Sequence, residues 1–287
     1  MAKYKCVFFD WDGTAVESRT APAEDVLKAM VPVLRAGVKL IIVSGTTIEN
    51  IAEGSIEKNI PEDCLGNLYL GLGRGAFDYG FKDGKPVIIN SMLPDKNTLL
   101  KIHSASFDLH TKLLRDYDLN SDIVFSRPNY CKVDLMADHD RGGKLFLQQS
   151  EIGMVQEKLK RKGISEGLAD VIRMADDMGT KYDLPLCSTT DAKYIEIGIT
   201  TKSDNVDYFM KNVLYKEGIK AEDCCFVGDE FTYLTDGIRG SDAYMITEAT
   251  KNGTFIDVSE NPWKLPDEVR NIGGGVSAFK EFLSSVL

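Results

Sequence analysis

Residues 5–14 read KCVFFDWDGT, an apolar run that stops abruptly at two aspartates, a glycine and a threonine. An unbroken apolar run that ends in a turn signal is typical of a central strand of a parallel sheet, which is covered on both faces. In such sheets, ligands bind just beyond the carboxyl ends of the strands. Asp10 and Asp12 are expected to point the same way, because side chains alternate along an extended chain. Two neighbouring carboxylates repel each other, so the stretch indicates a cation or a shared proton between them.

An ordinary turn would account for the same residues, because Asp and Gly are common turn formers and short motifs match by chance. Gly13 permits a sharp turn in either case. The choice between a simple turn and a functional site therefore depends on the rest of the chain.

The composition is that of an ordinary globular protein. The 287 residues are 43% hydrophobic and 27% charged, which is enough chain to bury the core of one large or two modest domains. With 34 basic and 44 acidic residues, the net charge of −10 argues against a nucleic-acid surface and against binding to an anionic membrane. No apolar run reaches the length of a bilayer and no leader-like segment precedes the first strand, so we expect a cytoplasmic protein. An anionic substrate must then be attracted locally, by a metal ion or a lysine.

The first part of the chain alternates strands and helices. The apolar pattern predicts a helix over 22–35 and a second buried strand over 38–43. A strand-helix-strand order requires a parallel pair with a right-handed crossover. The next residues, SGTT at 44–47, are predicted to begin another amphipathic helix, and a helix N-terminus with a free hydroxyl is a ready site for an anion. A plain helix cap at Thr46 or Thr47 is the alternative.

The pattern changes at about residue 92, where long helical stretches are set among strand-like runs. This mixture is typical of an independent α+β unit inserted into the first domain. We place the inserted unit at 92–190. The core domain is then formed by residues 1–91 and 191–287.

Beyond the insertion, the alternation of strand and helix resumes. A helix is predicted over 203–216, strands over 224–227 and 243–246, and an amphipathic helix at the end of the chain. The sequence therefore predicts an α/β fold, with a Rossmann-like parallel-sheet core domain and an inserted α+β cap domain.

Four polar sites lie at predicted strand ends or helix starts of this core. They are carried by four segments: FFDWDGT at 8–14, IIVSGT at 41–46, ITTKSDNV at 199–206 and FVGDEFTYLTD at 226–236. Together these segments resemble the four motifs of the haloacid dehalogenase-like (HAD) hydrolase superfamily. The inserted domain lies between the second and third segments, which is similar to the Cof-type sugar phosphatase branch. That branch also contains phosphomannomutases and the sucrose and trehalose phosphate phosphatases.

The resemblance implies a Mg²⁺-dependent phosphatase of small phosphorylated metabolites, with sugar phosphates as the expected substrates and an aspartyl-phosphate as the intermediate. It implies that Asp10 is the nucleophile, and that Asp12 protonates the leaving oxygen and later activates water. The metal ion would be held by the Asp10 and Asp229 carboxylates and by the backbone carbonyl of Asp12.

The resemblance also assigns the groups that hold the phosphoryl oxygens, namely the Ser44 hydroxyl, the Gly45 N–H and the Lys202 ammonium. Lys202 lies at a predicted helix N-terminus, where the macrodipole disfavours a cation. An anion bound in the site would explain why a lysine stands there.

Three further residues are assigned supporting roles beside the metal or the lysine: Asp236, Glu230 and Thr14. Asp236 would orient Lys202 or the waters of the metal ion. It comes seven residues after Asp229, in a loop that is longer than usual in the branch and that resembles the phosphomannomutase arrangement. In the cap, Arg127 and Arg141 are predicted to contact a sugar or a second anionic group.

Two other interpretations stay open at this stage. A phosphomutase would return the phosphoryl group to the sugar, and an isomerised sugar phosphate in place of free phosphate would reveal it. A non-catalytic binding module would keep the fold and lose the nucleophile or a metal ligand, but the motifs lack none of these residues. The expected partner is a small phosphorylated metabolite, with no nucleic acid and no membrane, and the sequence predicts no oligomeric state.

Overall fold

The structure is a computed structural model, and it describes residues 2–138 and 149–287. The strands in these residues are β1 (Cys6–Phe9), β2 (Lys39–Val43), β3 (Leu68–Leu72), β4 (Phe77–Lys82), β5 (Lys85–Ser91), β6 (Asp122–Val124), β7 (Tyr130–Asp134), β8 (Thr189–Thr190), β9 (Tyr194–Gly198), β10 (Cys224–Gly228), β11 (Tyr233–Thr235), β12 (Ile238–Arg239), β13 (Thr254–Asp257) and β14 (Val269–Asn271). The α-helices are α1 (Glu24–Arg35), α2 (Glu62–Leu65), α3 (Lys96–Tyr117), α4 (Gln149–Arg161), α5 (Leu168–Tyr182), α6 (Lys202–Phe209) and α7 (Gly275–Ser285). None of the helices in this part of the chain has the length and the apolar character needed to span a membrane.

Eight of the strands form the main sheet, in the order β14-β13-β10-β1-β2-β3-β4-β5. From β14 to β3 every neighbouring pair is parallel, whereas β4 and β5 are antiparallel and form a hairpin. The hairpin turns at Asp83-Gly84, where both residues have positive φ angles of 51° and 70°. Two-residue hairpin turns favour this conformation. The parallel pairing of the six strands from β14 to β3 confirms the predicted parallel-sheet core.

The first strand lies at the centre of this sheet, between β10 and β2. All of its residues are buried, because apolar side chains cover both faces. Phe9 packs on one face against Phe279 of α7, with ring centroids 4.8 Å apart. Phe8 stacks on the other face against Phe226 of β10, with ring centroids 4.7 Å apart. The strand is held firmly on both sides, so the residues that follow it leave the sheet at a fixed point.

A second compact unit comprises residues 93–201 and 233–241. The order of strands in its sheet is β6-β7-β9-β8, and all neighbouring pairs are antiparallel. Buried residues of α3, α4 and α5 pack with those of β7 and β9 in one apolar cluster. The predicted insertion of an α+β unit is therefore confirmed.

The limits of the insertion differ from the predicted 92–190. The chain stays in the second unit up to Thr201 and enters the first unit again at Lys202. The reason is strand pairing, because β9 lies beside β7 with Ile195 opposite Val133, and a division at 190 would separate the two. The β11–β12 hairpin also belongs to the second unit, where Leu234 joins the apolar cluster.

Two segments have a different secondary structure from the predicted one. The helix expected after Thr47 is a series of three 3₁₀ turns, which are Ile48–Asn50, Ala52–Gly54 and Ile56–Lys58. Glu53 prevents a continuous helix, because its φ is positive (54°). The strand expected at 243–246 is instead a 3₁₀ turn, Ser241–Met245, and β13 and β14 extend the sheet further along the chain.

Candidate active site

Two aspartates leave the same edge of the main sheet. The parallel neighbours β1 and β10 are in register with Phe9 opposite Val227, so Asp10 and Asp229 come just beyond the ends of adjacent strands. Asp10 remains attached to the sheet, because its N–H donates to the Val227 carbonyl oxygen at 3.0 Å. The residue is only 6% exposed. The structure thus brings together two residues that were assigned to the metal ion from the sequence.

The carboxylate of Asp242 completes a cluster with these two. Oxygen atoms of Asp10, Asp229 and Asp242 lie within 4.8 Å of one another. Asp242 is fully buried, and its Oδ2 accepts a hydrogen bond from the Glu230 N–H at 2.8 Å. Three carboxylates at this separation repel one another, so the cluster requires nearby positive charge.

Lys202 supplies part of that charge. Its Nζ donates to Asp10 Oδ1 at 2.7 Å and to Asp242 Oδ1 at 2.8 Å. The residue begins α6 and is 7% exposed. Burial alone would lower the pKa of Lys202, but the two carboxylates outweigh burial and raise this pKa above its usual value. The ammonium group therefore stays charged inside the site.

Asp242 takes the place that the sequence analysis gave to Asp236. Asp236 is exposed, between β11 and β12 in the second unit, whereas Asp242 receives the hydrogen bond of Lys202. The prediction for Asp236 relied on its spacing from Asp229, and the chain forms a complete hairpin before it reaches Asp242. The contact between Asp242 and Lys202 joins residues 40 positions apart, so no local sequence pattern points to it.

The Asp242 and Asp229 carboxylates occupy space that is free because Gly228 and Gly13 have no side chain. A Cβ atom on Gly228 would lie 2.3 Å from Asp242 Oδ2, and one on Gly13 would lie 2.2 Å from Asp229 Oδ2. Gly13 also has a φ of 94°, a conformation that residues with a side chain rarely adopt. Gly13 is therefore needed both for the turn after β1 and for the close approach of Asp229.

Burial raises the pKa of two carboxyl groups in the cluster. The pKa of Asp10 rises from 3.8 to about 7, because burial outweighs the opposing effect of the Lys202 ammonium, and Asp242 adds to the rise. The pKa of Asp229 is raised well above its usual range by burial and by the nearby carboxylates of Asp242 and Glu230. One ammonium against three carboxylates leaves two negative charges uncompensated when all three are ionised.

The donor set fits a divalent cation of the Mg²⁺ type. Two uncompensated negative charges match the charge of such an ion, and carboxylate oxygens are the ligands that it prefers. Asp10 and Asp229 would hold the ion, together with the backbone carbonyl of Asp12. Thr14 Oγ1 donates to Asp229 Oδ1 at 2.8 Å, and a hydrogen bond of this kind orients a metal ligand.

Gly13→Ala is expected to weaken Mg²⁺ binding at least about tenfold, because the added methyl group would displace Asp229. Gly37→Ala is the matched control, since Gly37 has a φ of 84° and an added Cβ there meets nothing within 4 Å. Both variants should lose about 1–2 kcal/mol of stability through the positive φ. Titration calorimetry with Mg²⁺ compares them, and equal affinities in the two variants would show that the Asp229 contact is unimportant.

The two carboxylate oxygens of Asp12, the second aspartate of the segment at 8–14, differ in their hydrogen bonds. Asp12 Oδ2 accepts hydrogen bonds from Arg19, from Nη2 at 3.1 Å and from Nε at 3.3 Å. Asp12 Oδ1 is buried and has no hydrogen-bond partner within the described ranges. A buried oxygen without a partner is costly, and a bound ligand that donates a hydrogen bond would remove the cost. The sequence analysis did not single out Arg19, although it lies only seven residues after Asp12.

The predicted anion site follows β2. Ser44 is 3% exposed, and its Oγ accepts a hydrogen bond from the Thr46 N–H at 3.2 Å. The Thr46 hydroxyl is buried and, among residues 2–138 and 149–287, has no partner. Gly45 is exposed between them. Because this segment is a turn and not the start of an α-helix, an anion would be held by hydroxyl and backbone N–H groups without the help of a long helix dipole.

Asn205, which the sequence analysis did not assign, ties the helix of Lys202 to the sheet. It is fully buried; its Nδ2 donates to Asp78 Oδ1 at 2.8 Å, and its Oδ1 accepts from the Gly75 N–H at 2.8 Å. Gly71 permits this approach, since a Cβ there would lie 2.7 Å from the Cβ of Asn205. The start of α6 is therefore held in two ways. Asn205 ties it to the loop after β3, and the two carboxylates that Lys202 contacts hold it at the active site.

Of the two residues predicted to set specificity, one lies in the described part of the chain. Arg127 is half-buried in the loop between β6 and β7, and its Nε is buried without a partner in the described structure. Arg141 lies outside the described residues. The assignment of both residues to substrate recognition stays a prediction.

Comparisons with known proteins agree with this fold. No protein-family model matches the chain, and no curated protein matches it. Among solved structures, the IMP-bound, N-terminally truncated IMP-nucleotidase of Plasmodium falciparum has a TM-score of 0.60 at 13% identity, over 99% of this chain and 68% of that chain. Across the IMP-nucleotidase structures, the chain spans 60% to 71% of the length of those proteins.

Two other solved structures match over nearly their whole length. The C-terminal domain of C. albicans trehalose-6-phosphate phosphatase has a TM-score of 0.61 at 11% identity, over 99% of this chain and 93% of that chain. The sucrose-phosphatase of Synechocystis, in complex with sucrose and phosphate, has a TM-score of 0.52 at 13% identity, over 100% of this chain and 98% of that chain. The chain thus shares its fold with these three phosphatases.

Proposed function

We propose that the protein is a Mg²⁺-dependent phosphatase of small phosphorylated metabolites, acting through an aspartyl-phosphate on Asp10. The observation that supports this most is the place of the Asp10 carboxylate. It lies just past the central strand, 2.7 Å from Lys202 Nζ and within a cluster of three carboxylates. The likeness of the fold to that of three phosphatases agrees with the proposal.

Charge is the main obstacle to this chemistry. A carboxylate and a phosphomonoester are both negative, and at about 3.5 Å and an effective dielectric constant of about 20 each pair of unit charges costs roughly 5 kcal/mol. The Lys202 ammonium offsets part of this repulsion at Asp10. A Mg²⁺ ion, held by the Asp10 and Asp229 carboxylates and the Asp12 backbone carbonyl, would supply the remaining positive charge.

The reaction would proceed in two half-reactions. An oxygen of Asp10 attacks phosphorus, and the bond to the leaving oxygen breaks while Asp12 gives that oxygen a proton. Water then attacks the phosphorus of the aspartyl-phosphate, Asp12 takes a proton from this water, and phosphate leaves Asp10. Lys202 and the Ser44 hydroxyl would hold the phosphoryl oxygens through both steps.

We also propose sugar phosphates as the substrate class. The chain covers 93% and 98% of the two structural neighbours that are, by name, a trehalose-6-phosphate phosphatase and a sucrose-phosphatase, but only part of the IMP-nucleotidase chains. The agreement in length favours a sugar phosphate over a nucleotide. A cytoplasmic location stays a prediction from the sequence.

Phosphate release from a panel of sugar phosphates and nucleoside monophosphates tests the proposal. We expect release from sugar phosphates with Mg²⁺, a loss of at least about 100-fold after treatment with EDTA, and recovery when Mg²⁺ is added. Asp229→Asn is the control that should not recover at the same Mg²⁺ concentration. Equal rates with and without metal would contradict the metal dependence, and an isomerised sugar phosphate as the product would identify a phosphomutase.

A further inference from the structure

The side chain of Arg19 holds one oxygen of Asp12 and leaves the other open. The Arg19 Nη2 and Nε groups both donate to Asp12 Oδ2, at 3.1 and 3.3 Å. The Asp12 side chain is 8% exposed and that of Arg19 is 36% exposed. Asp12 Oδ1 is buried, and the structure, over the ranges it describes, gives it no hydrogen-bond partner. The two oxygens of this carboxylate are therefore not equivalent.

We propose that Arg19 is a positioning residue, which fixes the Asp12 carboxylate so that Oδ1 stays free to exchange a proton with the reacting groups. The proposal rests on the proposed phosphatase function. Without the guanidinium, rotation of the Asp12 side chain would let the buried Oδ1 find another donor or water, because a buried oxygen without a partner is costly. Arg19 removes that possibility by binding the opposite oxygen with two N–H groups.

The backbone between the two residues brings Arg19 back to Asp12. The N–H groups of Ala15 and Val16 both donate to the Trp11 carbonyl oxygen at 3.0 Å, and the Gly13 N–H donates to the Val16 carbonyl oxygen at 2.7 Å. These bonds close the chain into a compact turn directly after the central strand. Arg19 follows this turn, so its position relative to Asp12 is set by local backbone hydrogen bonds.

Because the Arg19 side chain is partly exposed, a stability measurement can distinguish its proposed role in catalysis from a structural role. The Arg19 side chain is 36% exposed, so its truncation would admit water to Asp12 Oδ2, which is otherwise buried. Hydration of Asp12 Oδ2 would offset much of the lost ion pair, so the removal of Arg19 should change stability little and act mainly on catalysis. Arg35→Ala is a matched control, because Arg35 forms an exposed ion pair with Asp63, at 3.7 Å from Nε to Oδ2, elsewhere in the same unit.

The test compares two substrates that differ in whether their leaving group needs a proton from Asp12. In the first half-reaction the bond from phosphorus to the leaving oxygen breaks, both electrons stay with that oxygen, and the Asp12 proton moves onto it as the new bond from Asp10 to phosphorus forms. An alkyl phosphate needs this proton, because an alkoxide is a poor leaving group. p-Nitrophenyl phosphate does not need it, because p-nitrophenolate leaves as a stable anion.

Arg19→Ala is expected to slow the pre-steady-state release of an alkyl leaving group by about 10- to 100-fold, and that of p-nitrophenolate by less than about threefold. In the Asp12→Asn background, the added Arg19→Ala substitution should have almost no further effect on the alkyl phosphate, because the two residues act as a unit. Arg19→Lys should recover part of the loss. The Tm of Arg19→Ala should be like that of Arg35→Ala.

Equal losses on both substrates, no loss on either, or an additive effect with Asp12→Asn would each overturn the role of Arg19. A large fall in Tm for Arg19→Ala compared with Arg35→Ala would overturn it too, since it would show a structural role. A wild-type protein that releases neither leaving group would overturn the proposed function itself. These outcomes distinguish the two proposals from each other.

Discussion

Asp10→Asn is expected to reduce phosphate release at least about 10⁴-fold, because an amide is a poor nucleophile and no aspartyl-phosphate can form. Asparagine keeps the size of the side chain, and its carbonyl oxygen can accept the hydrogen bond from Lys202 Nζ that Asp10 Oδ1 accepts at 2.7 Å. The loss should therefore appear in the rate at saturating substrate and not in substrate binding. Asp63→Asn, at a carboxylate 69% exposed, is the control and should keep full activity.

The same substitution is expected to stabilise the metal-free protein at neutral and higher pH. Burial raises the pKa of Asp10 from 3.8 to about 7, so its contribution to stability is present below about pH 4 and is lost as the pH rises to about 7. Asparagine does not titrate, so the Tm of Asp10→Asn should exceed that of the wild type by several degrees at pH 8 and by much less at pH 4. Thermal unfolding in EDTA across this range measures the difference.

A pH-independent difference in Tm would contradict the assignment of a buried, repelled carboxylate to Asp10. Activity of Asp10→Asn within about tenfold of the wild type would contradict its role as the nucleophile. The two results are independent, because one concerns the metal-free folded state and the other concerns the chemical step.

Lys202→Met is expected to reduce phosphate release at least about 10³-fold and to lower the free energy of unfolding by about 3–5 kcal/mol at pH 8. Asp10 and Asp242 both lose the ammonium group that lies 2.7 and 2.8 Å from their oxygens. The loss leaves buried negative charge without compensation. At lower pH the destabilisation should shrink, because protonation of Asp10, whose pKa is raised to about 7, removes part of that charge.

Lys39→Met is the matched control for this variant. Lys39 begins β2 of the main sheet and is 6% exposed, and its Nζ lies 3.0 Å from Glu217 Oε2. We expect Lys39→Met to be less stable than the wild type and to keep its activity, because Lys39 contacts none of the three clustered carboxylates. Urea unfolding and phosphate release of the two variants separate stability from catalysis, and equal activities in them would contradict the role of Lys202.

The features that depend on local pattern were predicted from the sequence. The apolar run before Asp10 is a central strand because all of its residues are buried between two covered faces. The parallel sheet and the insertion of an α+β unit were also predicted, because apolar periodicity indicates strands and helices locally. Once those strands are parallel neighbours, Asp10 and Asp229 must come together at one edge.

The features that depend on tertiary contacts were not predicted. Asp242 lies opposite Lys202 because Gly228 leaves room for its carboxylate, and neither fact follows from spacing along the chain. Spacing pointed instead to Asp236, which lies in a hairpin of the second unit. The end of the insertion was misplaced for a similar reason, because the pairing of β9 with β7 is a long-range contact.

The contacts of Asn205 and Arg19 also depend on the folded chain. Asn205 bonds to Asp78 and to the Gly75 N–H, which are more than a hundred residues away. Arg19 returns to Asp12 only because of the turn that precedes it. A sequence pattern gives the residue types at these positions, but the partner of each side chain is determined by packing.

The most direct test of the central claim is to trap the phosphorylated protein. The wild type is mixed with excess p-nitrophenyl phosphate and Mg²⁺, quenched with acid during the first turnover, and mapped by mass spectrometry of its peptides. The account predicts a phosphoryl group on Asp10, sensitive to hydroxylamine and absent from Asp10→Asn. A phosphoryl group on another residue, or steady release of phosphate with no phosphorylated protein at any quench time, would contradict attack by the Asp10 carboxylate.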